Sequence, residues 1–333
     1  MTSRQIIIVI FLAIFISFLV TNNVMKPRIM ILQSYSPDFA WSKDIDVGID
    51  RILKGKPVLI RRYYLDTKRN PERDYMVRAG AAAIFNIRKW KPDVLIAVDD
   101  DAQEYVAKYF INEPNMSIVF NGVNGTAEQY GYDKAENVTG VLERVPFQAV
   151  QEVFEDINPK GHFIHICDNS DTSRYIQEEL ETFNWSPLNL IATKRCPTFA
   201  DWQKVVIKAN QEADFLLITH YHTIKDAMGN TMKPKDVIDW TRAHTTIPLI
   251  GCWDFFVADG GALSISVSPY EQGELSAKMA IDIIEHHRRA KDIPITRNTL
   301  FTVSLRGSEL KKNNIRIPTI FESFARGLDH YYE

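Results

Sequence analysis

Leu32-Gln33-Ser34-Tyr35-Ser36-Pro37-Asp38-Phe39-Ala40-Trp41 is the stretch on which the reading of this chain turns. A short apolar run at 28–32 precedes it. A segment with Trp41, Ile45, Gly48, Ile49 and Ile52 on one helical face follows it. The stretch is therefore a strand-to-helix loop. In open α/β sheets ligands lie beyond the carboxyl ends of the strands, which is where such a loop sits. Its load of hydroxyls, aromatics and an acid exceeds what a plain connector needs.

Outward from this loop the same alternation repeats. Strands are predicted at 28–32, 57–64, 93–98 and 117–120, with helices at 41–53, 72–90 and 102–109 between them. In the second helix Met76, Ala79, Ala83, Phe85 and Ile87 are read as one broad apolar face. The rhythm breaks after residue 121, leaves a short strand at 138–141, and restarts after Pro146. Helices are then predicted at 147–157, 171–182, 199–210 and 234–244, and strands at 162–167, 188–193, 214–219 and 248–252. Strands alternating with helices of this length imply parallel βαβ units. The fold class is thus α/β, with two doubly wound parallel-sheet lobes. A long helix at 269–287, a β-prone run at 299–304 and a short helix at 307–313 are too little to bury a core of their own. The helix is expected to return to the first half and the strand to join the second.

The 333 residues suit two domains, and 45% hydrophobic with 24% charged residues are globular values. A net charge of −3 without a basic patch leaves no nucleic-acid footprint. The run at 5–20 is apolar, preceded by Arg4 and followed by Thr21-Asn22-Asn23. It reads either as a cleaved export signal or as an uncleaved anchor, and both place the remainder outside the cytoplasmic membrane. Cys167, Cys196 and Cys252 allow at most one disulfide, and buried thiols are the simpler expectation.

The segments that follow the strands form a polar and aromatic set. The first half offers Ser34, Tyr35, Ser36 and Trp41, then Asp66-Thr67-Lys68-Arg69, then Asp99 and Asp100, then Asn121 and Asn124. The second offers Asp168, His220, Tyr221, Trp253 and Asp254. Aimed at a common cleft, they suit a small polar organic ligand. Plainer readings stand beside this one. The aspartates at 99–101 also suit a helix start. Trp41 and Trp253 also suit packing. His220 and His222 lack a third ligand for zinc, so no metal is expected. Dinucleotide, P-loop, nucleophile-elbow and zincin motifs are all missing, so neither cofactor nor catalytic residues are assigned.

These residues carry a family resemblance. The loop at 34–41, Asp66-Thr67-Lys68-Arg69, Asp99-Asp100-Asp101-Ala102, Val119-Phe120-Asn121-Gly122-Val123-Asn124, Val138-Thr139-Gly140-Val141 and the helix from Tyr270 resemble ABC-transporter substrate-binding proteins of the type I periplasmic-binding fold. The group meant is the tryptophan/tyrosine-type binding proteins, a module also used in sensors. Ser36 stands where the more typical loop has histidine, and Ser304 where a hinge-side asparagine is usual. The resemblance implies a first lobe at 28–143 plus 269–292, a second at 144–268 plus 293–318, and a tail at 319–333, after the export segment at 1–27. It implies hinge crossings near 143–146, 266–269 and 291–295, and closure on a ligand. The expected partners are a small amino-acid-like or other polar organic ligand and a membrane permease. The alternatives are a membrane-anchored sensory module with a separate partner and, third, an extracytoplasmic hydrolase.

Overall fold

The structure, a computed structural model, describes residues 2–24 and 26–333. Helix α1 (Ser3–Val24) exposes the apolar side chains of Ile7, Phe11 and Ile14. Among the described residues no helix is long and apolar enough to cross a membrane.

The first lobe runs β1 (Arg28–Gln33), α2 (Ala40–Leu53), β2 (Leu59–Tyr64), α3 (Arg73–Trp90), β3 (Val94–Val98), α4 (Asp99–Tyr105), β4 (Ser117–Val123), β5 (Val138–Leu142). The second runs α5 (Phe147–Ile157), β6 (His162–Cys167), α6 (Asp171–Thr182), β7 (Asn189–Arg195), α7 (Phe199–Glu212), β8 (Phe215–Ile218), α8 (Pro234–His244), β9 (Leu249–Gly251), α9 (Asp254–Ala258), β10 (Leu263–Val267). The chain then returns through α10 (Pro269–Glu285) and β11 (Thr296–Arg297). It ends with β12 (Phe301–Arg306), α11 (Gly307–Lys312), α12 (Thr319–Gly327) and β13 (Tyr331–Tyr332).

The first sheet has the order β11-β5-β4-β3-β1-β2 and is parallel throughout. The second has the order β13-β12-β10-β9-β8-β6-β7, with β12 antiparallel to β10. Helices cover both faces, so β1 and β3 read as continuous apolar runs and are buried on both sides. The α/β two-lobed class expected from the alternation is what the chain adopts.

α10 packs lengthwise on α2, with Gly48 and Gly273 at the crossing. A Cβ on Gly273 would strike the Ile45 carbonyl oxygen, and one on Gly48 the Tyr270 carbonyl oxygen. Of the apolar face read on α2, Trp41, Ile45, Gly48 and Ile49 are buried and Ile52 is half-buried, while Leu53 beside it is buried. Each fully buried Ile or Leu there is worth about 1.5–3 kcal/mol.

Several boundaries differ from expectation. On α3 the buried residues are Gly80, Ala83 and Ile87, while Phe85 is 65% exposed. Two positions from Ala83 is about 200° around a helix, so Phe85 faces away. α4 begins at Asp99, because the three aspartates form its first turn, where negative charge meets the helix dipole favourably. β11 pairs with β5, so the third crossing falls at 298–300 rather than near 291–295. Residues 319–333 are no separate tail, since β13 adds to the second sheet beside β12. β10 and α9 were not foreseen, although Leu263-Ser264-Ile265-Ser266-Val267 alternates with the period of a strand.

Side chains fasten the crossings to one another. Asn298 accepts from the Arg144 backbone N–H at 2.7 Å and donates to its carbonyl at 3.1 Å. Glu271, at the start of α10, accepts from the Thr299 and Leu300 N–H groups. The three cysteines are free and buried, and burial raises their thiols, that of Cys196 to about 12.

Candidate ligand-binding chamber

The carboxyl ends of both sheets face each other across a cleft, and deep in it the lobes meet around a small chamber. Tyr35, Phe39, Trp41, Lys68, Asp99 and Asn124 line it from the first lobe, and Glu143 from the first crossing. Thr172, His220, Trp253 and Phe255 close it from the second. The remaining space is about 10 Å³, room for roughly one water. A wider cleft of about 690 Å³ opens outward and shares Lys68 and Thr172 with the chamber. Across its mouth Lys225 reaches Glu72 at 2.8 Å. Both groups are solvated, so this pair contributes less than about 1 kcal/mol to closure.

Aromatic contacts knit the two walls together. Phe39 of the first lobe meets Phe255 and His222 of the second at ring distances of 5.9 and 5.4 Å. Trp253 lies 4.2 Å from His220 and stacks on Phe255 at an interplanar angle of 11°. Only the two Phe39 contacts cross from one lobe to the other; the Trp253 contacts order the second-lobe wall.

Polar groups in the chamber are only partly satisfied. Trp41 Nε1 donates to Asp99 Oδ1 at 3.0 Å, and Asn124 Nδ2 donates to Glu143 Oε2 at 3.2 Å. Asp99 Oδ2, Glu143 Oε1 and the Nδ1 atoms of His220 and His222 are buried without a hydrogen-bond partner among the described residues. Asp99 also has φ 65°, a left-handed backbone that costs a non-glycine residue about 1 kcal/mol or more. Such strain collects at ligand sites because the surrounding structure must enforce it.

Burial, and then the neighbouring Asp100 charge, push the Glu143 carboxyl up to about 8. Burial and then Glu143 raise Asp99 well above the ordinary carboxylate range. Burial, followed by the Lys68 charge, lowers His222 to about 3 and moves His220 in the same direction. For Asp168, burial acts upward but is outweighed by Lys68, His220 and the Ser173 and Ser170 hydroxyls, so its carboxyl is held low.

The signs of these shifts give a prediction. A raised carboxyl stabilises the closed empty form at low pH and loses that contribution as pH rises through about 8. The depressed histidines act oppositely, but only below their ordinary value of 6.5. Between about pH 6.5 and 8 the carboxyls therefore decide, and the unliganded lobes are expected to open as pH rises. Small-angle scattering across that window should show the opening, and Glu143→Gln should flatten it. A wild-type profile without pH dependence would contradict the assignment.

Of the residues singled out in the sequence, Tyr35, Trp41, Asp99, Asn124, His220 and Trp253 are brought together here. The others are engaged elsewhere. Ser34 Oγ donates to the Val98 carbonyl and accepts from the Ala102 N–H, tying down α4. Ser36 is buried in the turn that leads to Phe39. Asp100 borders the outer cleft, its oxygens taken by the Gly125 and Asn124 N–H groups and the Tyr130 hydroxyl. Asn121 donates to Ser276 of α10 at 2.7 Å. Asp168 accepts from Ser170, Ser173 and the Thr223 N–H. Tyr221 donates to Asp259 at 2.7 Å. Asp254 accepts from Thr302 and Ser304 of β12. Asp254→Asn should accordingly lower stability by about 1–2 kcal/mol while leaving ligand affinity within threefold. Urea denaturation and titration calorimetry on the one variant would check both halves.

Phe39, Lys68, Glu143, Thr172 and Phe255 line the chamber without having been singled out as ligand residues. Phe39 and Lys68 lay inside quoted motifs, and Glu143 at the first crossing, so their positions were visible. Thr172 carried no signal beyond lying near the start of a predicted helix, and Phe255 none beyond its place beside Trp253 and Asp254. Among the described residues no group of three or more His, Cys, Asp or Glu could hold a metal ion.

A family model described as ABC transporter substrate binding protein matches residues 69–325. Curated proteins provide no match to the sequence. Among solved structures, a conserved domain protein from Vibrio cholerae is 15% identical, with 92% of this chain and 100% of that one covered and a TM-score of 0.69. An ABC domain from Streptococcus pneumonia in complex with L-Trp is also 15% identical, covering 90% and 98%, with a TM-score of 0.69. The arabinose-binding protein AraP from Geobacillus stearothermophilus is 11% identical, covering 88% and 100%, with a TM-score of 0.57.

Proposed function

The chain belongs to the ABC transporter substrate-binding protein family, whose members are extracytoplasmic binding proteins, and from that premise we propose that it captures a small organic solute between its lobes for delivery to a membrane permease. The observation that supports this reading is the chamber itself. Side chains from both lobes converge on it, its walls are aromatic, and several of its polar atoms lack partners. Such a surface binds by closure: the lobes part at their three crossings, a ligand enters through the outer cleft, and aromatic rings from both sides fold over it. No residue in the chamber forms a nucleophile–base pair, so the reading is capture without turnover.

A thermal-shift screen of the purified chain against amino acids, amines, sugars and nucleosides tests it. A ligand that binds the folded state raises the melting temperature by mass action. Stoichiometric binding without product formation is the expected outcome, and conversion of a bound compound would sink the reading.

The exposed apolar side chains of α1 favour a second reading, a membrane-anchored sensor that passes closure to a separate partner. Mass determination of the exported protein separates the two. A mature terminus between Asn22 and Lys26 fits a cleaved signal and a freely diffusing transport protein. A retained Ile6 fits the anchor.

A further inference from the structure

The first-lobe wall of the chamber holds two carboxyl groups that the protein leaves half-satisfied. Asp99 and Glu143 are each 2% exposed, and each has one oxygen with no hydrogen-bond partner among the described residues. Their neighbour Asp100 shows the contrast, because hydrogen bonds from Gly125, Asn124 and Tyr130 engage both of its oxygens. Lys68, the chamber's ammonium group, forms no salt bridge among the described residues and lies over the Tyr35 ring at 4.7 Å. Its field also acts on Asp168, His220 and His222 of the second lobe, so it is shared across the cleft. Two buried carboxylates close enough to feel each other cannot both stay ionised unless a cation joins them. In the closed empty form burial and then carboxylate repulsion raise both carboxyls above the ordinary carboxylate range, which favours a proton on the pair. The rings of Trp41 and Trp253, beside them, attract a cation through their faces and pack against a flat apolar body.

We propose that the ligand enters this chamber through a protonated amine seated between Asp99 and Glu143, with an aromatic body against Trp41 and Trp253, and that one carboxyl proton leaves to solvent as the amine arrives. The inference rests on the solute-binding reading above and narrows it to one chemical class. Balance is kept without a further reactant: the ammonium brings one positive charge and one carboxyl proton departs, so the pair is left sharing its remaining proton beside the bound cation. The groups that set this exchange are Asp99, Asp100, Glu143 and Lys68 from the first lobe and crossing, and Asp168, His220 and His222 from the second.

Titration calorimetry with tryptamine and phenethylamine tests it, against the neutral alcohols tryptophol and 2-phenylethanol and the anions 3-indolepropionate and 3-phenylpropionate. Each is run near pH 7 in phosphate and in Tris, which differ in ionisation enthalpy. An arylalkyl amine is expected to bind at least tenfold more tightly than its matched alcohol and acid. Its measured enthalpy should differ between the buffers by the released proton. Glu143→Gln should weaken amine binding at least tenfold and remove the buffer difference, with an unchanged circular-dichroism spectrum. Asp99→Asn should weaken it likewise, and Glu143→Gln alone suffices if that variant does not fold. Equal binding of alcohol or acid, or full amine binding by Glu143→Gln, overturns the amine site while solute capture stands. If no amine binds, the inference falls, and the broader thermal-shift screen decides the solute-binding reading separately.

Discussion

Gly273→Val is expected to leave the chain without a stable first lobe. Gly273 lies where α10 crosses α2, and a side chain there would collide with the Ile45 carbonyl oxygen and crowd the Ile49 N–H. Those are main-chain atoms of a buried helix and cannot swing aside as a side-chain tip can. Ordinary overpacking costs about 1–3 kcal/mol, and a clash with backbone belongs above that range. The damage would spread, because α10 also holds Asn121 through Ser276 and the Gly122 N–H through Gln272. Separating α10 from α2 would therefore loosen the end of β4 and, through Glu271, the third crossing. Loss of the cooperative thermal transition, or a melting temperature lowered by ten degrees or more, is the outcome to look for. A variant that melts within two degrees of the wild type would show that the crossing tolerates separation.

Trp41→Ala is expected to spare the fold and remove most ligand binding. Trp41 is the first buried residue of α2, with its ring at the chamber and its Nε1 on Asp99. The alanine variant loses one aromatic wall and leaves another buried carboxyl oxygen without a donor. Buried aromatic anchors of this kind carry about 2 kcal/mol or more of binding, roughly thirtyfold in affinity. Trp41→Phe keeps the wall and loses only the donor, so it should fall between the two. Calorimetry with the ligand found by screening would rank the three proteins. Binding by Trp41→Ala within threefold of the wild type would remove Trp41 from the site.

The two variants probe different kinds of information. Gly48 was legible as part of the helix face, since periodicity places it between Ile45 and Ile49. That it must be glycine was not legible, because the reason is α10, more than two hundred residues further along the chain. The loop at Leu32–Trp41 shows the same division. Its position at the end of β1 follows from pattern alone. The uses of its side chains do not: Ser34 caps α4, while Tyr35, Phe39 and Trp41 enter the chamber. Polar residues gather at the carboxyl ends of strands both to cap the helices that follow and to meet ligands, so residue type cannot separate the two roles. Asp99 and Asp100 are adjacent in one aspartate run, and only the amides of Asn124 and Gly125 make Asp100 a scaffold acid.

By itself the sequence determined the α/β class, the two successive lobes, the return of the long helix to the first lobe and the end of each sheet at which the chamber lies. These depend on local periodicity, on chain direction and on the handedness of βαβ units, which neighbouring residues encode. Tertiary structure alone decided where the last crossing falls, which strand-end residues reach the chamber, and that Glu143 joins them. Those outcomes depend on hydrogen-bond partners and burial supplied by distant segments. A carboxylate becomes a site only where the folded chain buries it and leaves one of its oxygens without a donor.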